Sequence, residues 1–267
     1  MDVGERRTRI EELVTRTGEV SFADLSASFG VSEMTIRRDI EALQAQGIVR
    51  RVSGGAIALG GTAFEPSYGL RAGQAVDSKV QIGEEIAAML HPGETVLLDS
   101  GSTVLAVARA IRGKDLGLTV LTPSIGVATE LADEPHTRVL LAGGEVRPGE
   151  LSLIGSDTEL WIRRYNCDTY VAGVAGVDAE RGLTEYHPAE AAVKQAAVLA
   201  AGRVLVGVDG MKLGRVHLVT VAPFEAISAL VSDAPATHPT LAAARARGIE
   251  VVTVPSPEPH LAAGEIS

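Results

Sequence analysis

The chain has 267 residues, of which 46% are hydrophobic and only 3% aromatic, and it carries a formal net charge of -10. That apolar content excludes a largely disordered chain, and with no run of 18 apolar residues a membrane-spanning helix is not expected. The one cysteine, Cys167, cannot form an intrachain disulfide, and the start MDVGERRTRIEEL lacks the pattern of a secretory leader, so a reducing cytoplasm is the expected location.

The acidity is uneven along the chain. Residues 1–55 hold eight Arg against nine Asp or Glu, whereas the remainder holds 16 basic and 25 acidic residues. DNA binding requires a local basic patch and not a basic protein, so the overall acidity does not exclude it. In ERRTRIEELVTR, residues 5–16, Ile10, Leu13 and Val14 fall on one helical stripe, and Gly18 is the expected stop. Ser21 is placed to cap a second helix carrying Phe22, Leu25 and Phe29, with Asp24 completing a weak capping box. Gly30 supplies a left-handed turn, and Ser32 caps a third helix whose buried stripe is Ile36, Ile40 and Leu43 and whose stop is Gly47.

That third helix presents Thr35, Arg37 and Arg38 outward. An arginine there can bond guanine O6 and N7 or grip phosphate. The following IVRRVSGGA reads as a hairpin wing with Arg50 and Arg51 as phosphate or minor-groove contacts and Ser53-Gly54 at its turn. The candidate DNA-binding set is therefore Ser32, Thr35, Arg37, Arg38, Arg50, Arg51, Ser53 and Gly54.

Residues 58–77 read as a connector, and the tail from 256 to 267 as loose chain. Between them, 78–255 alternates strands and helices. Helices are expected at 79–90, 102–111, 124–133 and 188–201. Strands are expected at 95–99, 118–122, 138–143, 169–177, 203–209, 227–233 and 250–255. Continuous Val and Leu runs separated by helices imply a Rossmann-like, mostly parallel α/β sheet covered on both faces. In such sheets ligands bind beyond the C-terminal strand ends.

Five polar clusters fall at those ends. Asp99-Ser100-Gly101-Ser102-Thr103 joins a strand to a helix, where backbone N–H groups and two hydroxyls can cradle a phosphate without any Walker motif. The others are Thr122-Pro123-Ser124, then Gly143-Gly144-Glu145-Val146-Arg147, then Gly173 to Asp178 with Gly176 inside it, and Asp209-Gly210-Met211-Lys212, where Lys212 offers a positive charge.

The run VSEMTIRRDIEALQAQGIVRRVSGGA resembles the winged helix-turn-helix of the DeoR family of bacterial transcriptional regulators, whose pattern is VS-x-x-TIRRDL-x-x-L-x-x-x-G followed by a basic residue and usually HGGA. Ser53 departs from the usual histidine and Ile40 from the usual leucine. The second half resembles the family's sensor domain. LLDSGST is similar to its LDSGTT loop, LLAGGEVRPGELSLIG to its GG-x-x-R…G segment, AGVAGVDAERGLT to its G-x-x-G-(I/V)-D element, and VDGMKLG to its ADSSKFG. Pro123 and Gly210-Met211 depart from the family's Asn and Ser-Ser.

The resemblance implies an N-terminal winged helix-turn-helix over residues 1–57, a sensor domain over 78–255 similar in fold to ribose-5-phosphate isomerase, and a regulator of sugar catabolism, in the usual case a repressor. It implies double-stranded operator DNA and a phosphorylated sugar as partners and no cofactor. It carries a phosphate-loop role to Ser100, Gly101, Ser102 and Thr103 and a charged-pocket role to Lys212, with Asp99, Asp209, Ser124, Gly143, Gly144, Arg147, Gly176 and Asp178 as further effector-binding candidates. One recognition helix covers few base pairs, so a dimer or tetramer is expected. The other classes are an isomerase, for which Asp99, Asp209, Glu190 and Lys212 supply the residue types, and a non-catalytic interaction protein.

Overall fold

The computed structural model describes residues 2–17, 19–58, 65, 68–73 and 75–255; Gly18 as a helix stop and the 256–267 tail lie outside them. The chain divides into two units, residues 1–66 and 67–267.

In the first unit, α1 (Val3–Thr17), β1 (Glu19–Ser21), α2 (Phe22–Phe29), α3 (Glu33–Ala45), β2 (Val49–Val52) and β3 (Gly55–Ala58) follow in order. Ser21 caps α2 by accepting from the Asp24 N–H at 3.0 Å, and Gly30 ends it in the left-handed region at φ 63°. Ser32 caps α3 by accepting from the Thr35 N–H. Ile10, Val14, Phe22, Leu25, Ile36, Ile40 and Leu43 are all nearly inaccessible and form the core between the three helices. The wing has one more strand than its sequence suggests. The antiparallel order is β1-β3-β2, so the short segment before α2 also pairs with the hairpin. Gly55 makes this possible, since a Cβ there would lie 2.0 Å from the Val20 carbonyl oxygen.

The second unit begins with α4 (Tyr68–Gly73), inside the stretch whose composition suggested a connector, and α5 (Val76–Ala88). There follow β4 (Thr95–Leu98), α6 (Ser102–Ile111), β5 (Thr119–Thr122), α7 (Ile125–Leu131), β6 (Arg138–Leu141), the small hairpin β7 (Glu145–Val146) and β8 (Leu153–Ile154), and α8 (Ser156–Ile162). Next are β9 (Cys167–Ala172), β10 (Gly176–Asp178), β11 (Gly182–Glu185), α9 (Pro188–Leu199), β12 (Ala201–Val208), β13 (Val219–Ala222), β14 (Ala229–Ser232), α10 (Pro239–Ala246) and β15 (Glu250–Thr253). The single long strand expected over 169–177 is thus two elements. β9 ends at Ala172, and β10 belongs to a separate antiparallel sheet, β10-β11-β13.

Seven strands make the main sheet in the order β15-β14-β12-β9-β4-β5-β6, and every pairing in it is parallel. Helices cover both faces. Ile82, Ile86, Val107 and Val127 of α5, α6 and α7 fill one side, and Ile162, Ala191, Ala196 and Leu241 of α8, α9 and α10 fill the other. From β4 the chain winds outward through β5 and β6, then returns to build β9, β12, β14 and β15 on the opposite flank. The strand order therefore reverses between β4 and β9, which is where an open α/β sheet leaves a crevice at its C-terminal edge. Among the described residues, no helix is long and apolar enough to cross a membrane.

Candidate functional site

Two sites can be built, one in each unit. In the first, α3 carries the candidate DNA-binding residues on a frame fixed from below. Asp39, 2% exposed, accepts from Arg6 Nε at 2.6 Å and Arg7 Nε at 2.9 Å. It thereby ties α1 to α3. At the helix start the Ser32 and Thr35 hydroxyls lie 3.0 Å apart.

The four arginines are not equivalent. Arg37 is half-buried, bonds Glu33 at 3.3 Å and lies 4.5 Å over the Phe22 ring. Arg51 bonds Glu41 at 2.8 Å, takes the Gln44 side-chain oxygen on its backbone N–H, and lies 5.8 Å from the same ring. Arg38 and Arg50 are exposed and have no hydrogen-bond or ion-pair partner among the described residues. Ser53 and Gly54 form the exposed turn of the wing.

In the second unit a cleft opens at the reversal between β4 and β9. Ser100, Gly101, Ser102 and Thr103 form one wall, and Lys212 reaches in from the far side. Gly101 has φ 109° and precedes α6, and no side chain among the described residues caps that helix. Its first N–H groups and the positive end of its dipole therefore face the cleft. Lys212 donates to the Val174 carbonyl at 3.1 Å and lies 3.7 Å from Asp209.

Behind the loop is a buried charge cluster. One Asp99 oxygen accepts from Tyr170 Oη at 2.7 Å, from the Gly173 N–H at 3.0 Å and from Lys194 Nζ at 2.7 Å, while the other accepts from the Ser100 N–H at 2.8 Å. Lys194 also donates to the Gly173 carbonyl at 2.9 Å and lies 3.6 Å from Glu185. Burial alone would push the Lys194 ammonium toward neutrality, but Asp99, Glu185 and Glu190 outweigh it and hold its pKa above the ordinary lysine value. Glu190 accepts from Ser152 Oγ at 2.6 Å and pairs with Arg147 at 3.0 Å. Burial pushes the Glu190 carboxyl up, yet Lys194, Ser152 and Arg147 keep it below the usual range. At the cleft rim Arg71 pairs with Glu150. Burial, together with nearby Lys212 and Arg71, lowers Lys79 to about 8, with Asp209 opposing.

The sequence-derived effector residues divide accordingly. Ser100, Gly101, Ser102, Thr103 and Lys212 meet at the cleft, with Asp99 and Asp209 buried against it. Arg147 stands one layer back, holding Glu190. The remaining five do not line it. Ser124 caps α7 through the Val127 N–H. The Gly143 carbonyl accepts from Thr158 Oγ1 at 2.7 Å, and a Cβ on Gly144 would lie 2.0 Å from that same oxygen. Gly176 pairs with Thr184 in the small sheet, and Asp178 accepts from the N–H groups of Glu180 and Arg181 in a turn.

Arg71, Glu150, Glu185, Tyr186, Glu190 and Lys194 line the cleft without belonging to the sequence-derived set. The spacing of Glu190 and Lys194 reads equally well as a solvated i,i+4 pair. Only the docking of α9 against the sheet end buries both.

The family models match both units. Residues 6–60 match the DeoR-like helix-turn-helix domain, and residues 74–234 match the DeoR C terminal sensor domain. The chain belongs to the DeoR family. As a member it carries a DNA-binding helix-turn-helix and is a transcriptional regulator. This DeoR-family chain is 31% identical, over 94% of its own length and 93% of the relative's, to a protein of Escherichia coli O157:H7 named for repression of the aga operon. It is 32% identical, over 86% of its length and 91% of the relative's, to the glycerol-3-phosphate regulon repressor of Escherichia coli K12. Both names describe regulators and not enzymes. A ribose-5-phosphate isomerase from Methanocaldococcus jannaschii overlaps 52% of the chain and 55% of its own length, at 15% identity and TM-score 0.38. The fold assignment rests on the sheet order and the family match, not on that overlap.

Proposed function

We propose that this DeoR-family chain represses an operon for sugar or related carbohydrate breakdown, and that a phosphorylated sugar or similar metabolite binds the β4/β9 cleft and changes its affinity for operator DNA. The observation that carries the reading is the uncapped start of α6 facing Lys212 across the cleft. A phosphate there receives backbone N–H groups, the Ser102 and Thr103 hydroxyls and one ammonium. Glu150, Glu185 and Glu190 on the same walls are acceptors for sugar hydroxyls. The names of the relatives, one for a phosphorylated polyol regulon and one for the aga operon, support the ligand class.

In this reading, residues 1–57 read DNA, 78–255 sense the metabolite, the chain works in the cytoplasm, and two or more copies bind repeated half-sites. The test is fluorescence anisotropy of a labelled duplex from the protein's own promoter, titrated with a panel of phosphosugars and their unphosphorylated parents. A phosphorylated member shifts the duplex affinity and its parent does not, and Lys212→Ala abolishes the shift. Unchanged affinity across the panel removes the effector reading.

A further inference from the structure

Most of the outer face of α3 is spoken for within the protein. Glu33 holds Arg37, Glu41 holds Arg51, and Phe22 carries both guanidiniums on its ring. Two side chains at i and i+4 are left. Met34 is 61% exposed, the highest value among the exposed large apolar residues apart from Leu199, and Arg38 is exposed without a partner among the described residues.

An exposed methionine next to a free guanidinium gains nothing from the fold of its own unit. Met34 lies in the first turn of α3, the part of a recognition helix that meets base edges. The helix rise separates positions 34 and 38 by about 6 Å along the axis, which corresponds to one or two base-pair steps of about 3.4 Å. In the major groove a thymine offers a 5-methyl group, which takes an apolar contact, and a guanine offers O6 and N7, which take a guanidinium bidentately.

We infer that Met34 and Arg38 are the sequence-reading pair of this chain, Met34 on a thymine methyl and Arg38 on a guanine within two steps of it, whereas Arg37 and Arg51 position the helix and the wing. The inference rests on the helix-turn-helix being the DNA-binding element. Arg37 and Arg51 have their charge shared with Glu33 and Glu41 and their planes occupied by Phe22, so they brace α3 against β2 and add a diffuse attraction for phosphate. Arg38 has its full fork of donors available.

The experiment is in vitro selection from a randomised duplex pool with the full-length chain, its Met34→Ala and Arg38→Lys variants, and Arg9→Lys on the exposed side of α1 as a comparison. The wild type is expected to enrich a consensus with thymine and guanine within two steps. Met34→Ala loses the thymine preference and keeps the guanine. Arg38→Lys loses the guanine preference while its salt dependence stays, because the charge is retained. Arg9→Lys keeps both.

On the selected duplex, deoxyuridine in place of that thymine and 7-deazaguanine in place of that guanine each weaken wild-type binding by about tenfold. Each analogue has no further effect on the matching variant. Both positions are on the surface, so unchanged thermal melting confirms that the variants fold. A consensus indifferent to both variants, or wild-type binding indifferent to both analogues, overturns the assignment while leaving DNA binding intact. A wild-type chain that enriches no duplex overturns the DNA-binding role beneath it as well.

Discussion

The two units both bury charge, and they use it differently. In the first, one carboxylate, Asp39, receives two arginines from α1 and is closed off from any ligand. In the second, Asp99, Glu185, Glu190 and Lys194 form a cluster of which three members line the open cleft. The first arrangement fixes one helix so that its outer face can be offered rigidly to DNA. The second ties the cleft-lining Glu185, Glu190 and Lys194 to the junction of β4, β9 and α9 through Asp99 and the Gly173 carbonyl.

Lys194 is the cation on which the second cluster depends. Lys194→Met leaves three buried or nearly buried carboxylates without their common cation, and a loss of about 3–5 kcal/mol in the second unit is expected. The single tryptophan, Trp161, packs at a tilt against Tyr165 in that unit and reports its urea unfolding directly. An unchanged midpoint would mean that the cluster is far less coupled than its distances imply. The corresponding change in the first unit, Asp39→Asn, is expected to cost about 3 kcal/mol, somewhat less because Arg7 is partly solvated. Amide hydrogen exchange in α1 and α3 would show it, with Trp161 fluorescence unaffected.

The units should also respond oppositely to pH. Burial, with Glu12 nearby, raises Glu11 to about 7. The folded first unit holds that proton longer than the unfolded chain, so the contribution of Glu11 to stability is fully present below pH 4.5 and falls by up to about 3 kcal/mol as pH rises to 7. Glu11→Gln should flatten the decline. For Lys79, lowered to about 8 from 10.5, the unfolded chain binds the proton more tightly. The Lys79 contribution to the second unit should therefore rise as pH passes from 8 toward 10.5, showing as a net gain below pH 9 and opposed above it by Cys167, whose thiol burial and Asp168 push up to about 11. Tyr170, whose hydroxyl burial and Asp99 hold well above 10, adds to that opposition above pH 10, because its unfolded form ionises first. Lys79→Met should abolish the rise. The smallest expected effect is Lys212→Ala, about 1 kcal/mol or less on stability because the side chain is partly solvated, although the effector response disappears.

Much of the first unit could be read from its residues because its signals are local. Ser21, Gly30 and Ser32 act within four residues of themselves, as caps and a turn. The third strand of the wing could not be read that way, since β1 is three residues long and exists only by pairing with β3. In the second unit the strand–helix alternation was legible from continuous Val and Leu runs. α4 was not, because six residues with two glycines carry little helical signal, and the split of 169–177 depends on the small sheet that captures β10. The phosphate-type loop was legible because its glycine, hydroxyls and helix start are consecutive. Arg71, Glu150, Glu185 and Lys194 were not, since they lie up to 123 positions apart and meet only at the cleft.

Periodicity, capping and backbone freedom over a few residues are enough to separate two units of different chemistry, to pick out the helix that carries the candidate DNA-binding residues, and to pick out the loop whose glycine and helix start suit an anion. Tertiary structure alone decided which charges are held and which are free. Phe22, Glu33 and Glu41 occupy Arg37 and Arg51 and leave Arg38 open, and the return of the chain across the sheet to β9 brings Lys194 onto Asp99. The physical reason is the same in both units. A charge acts according to the partners and the burial it is given, and both are set by residues distant in sequence.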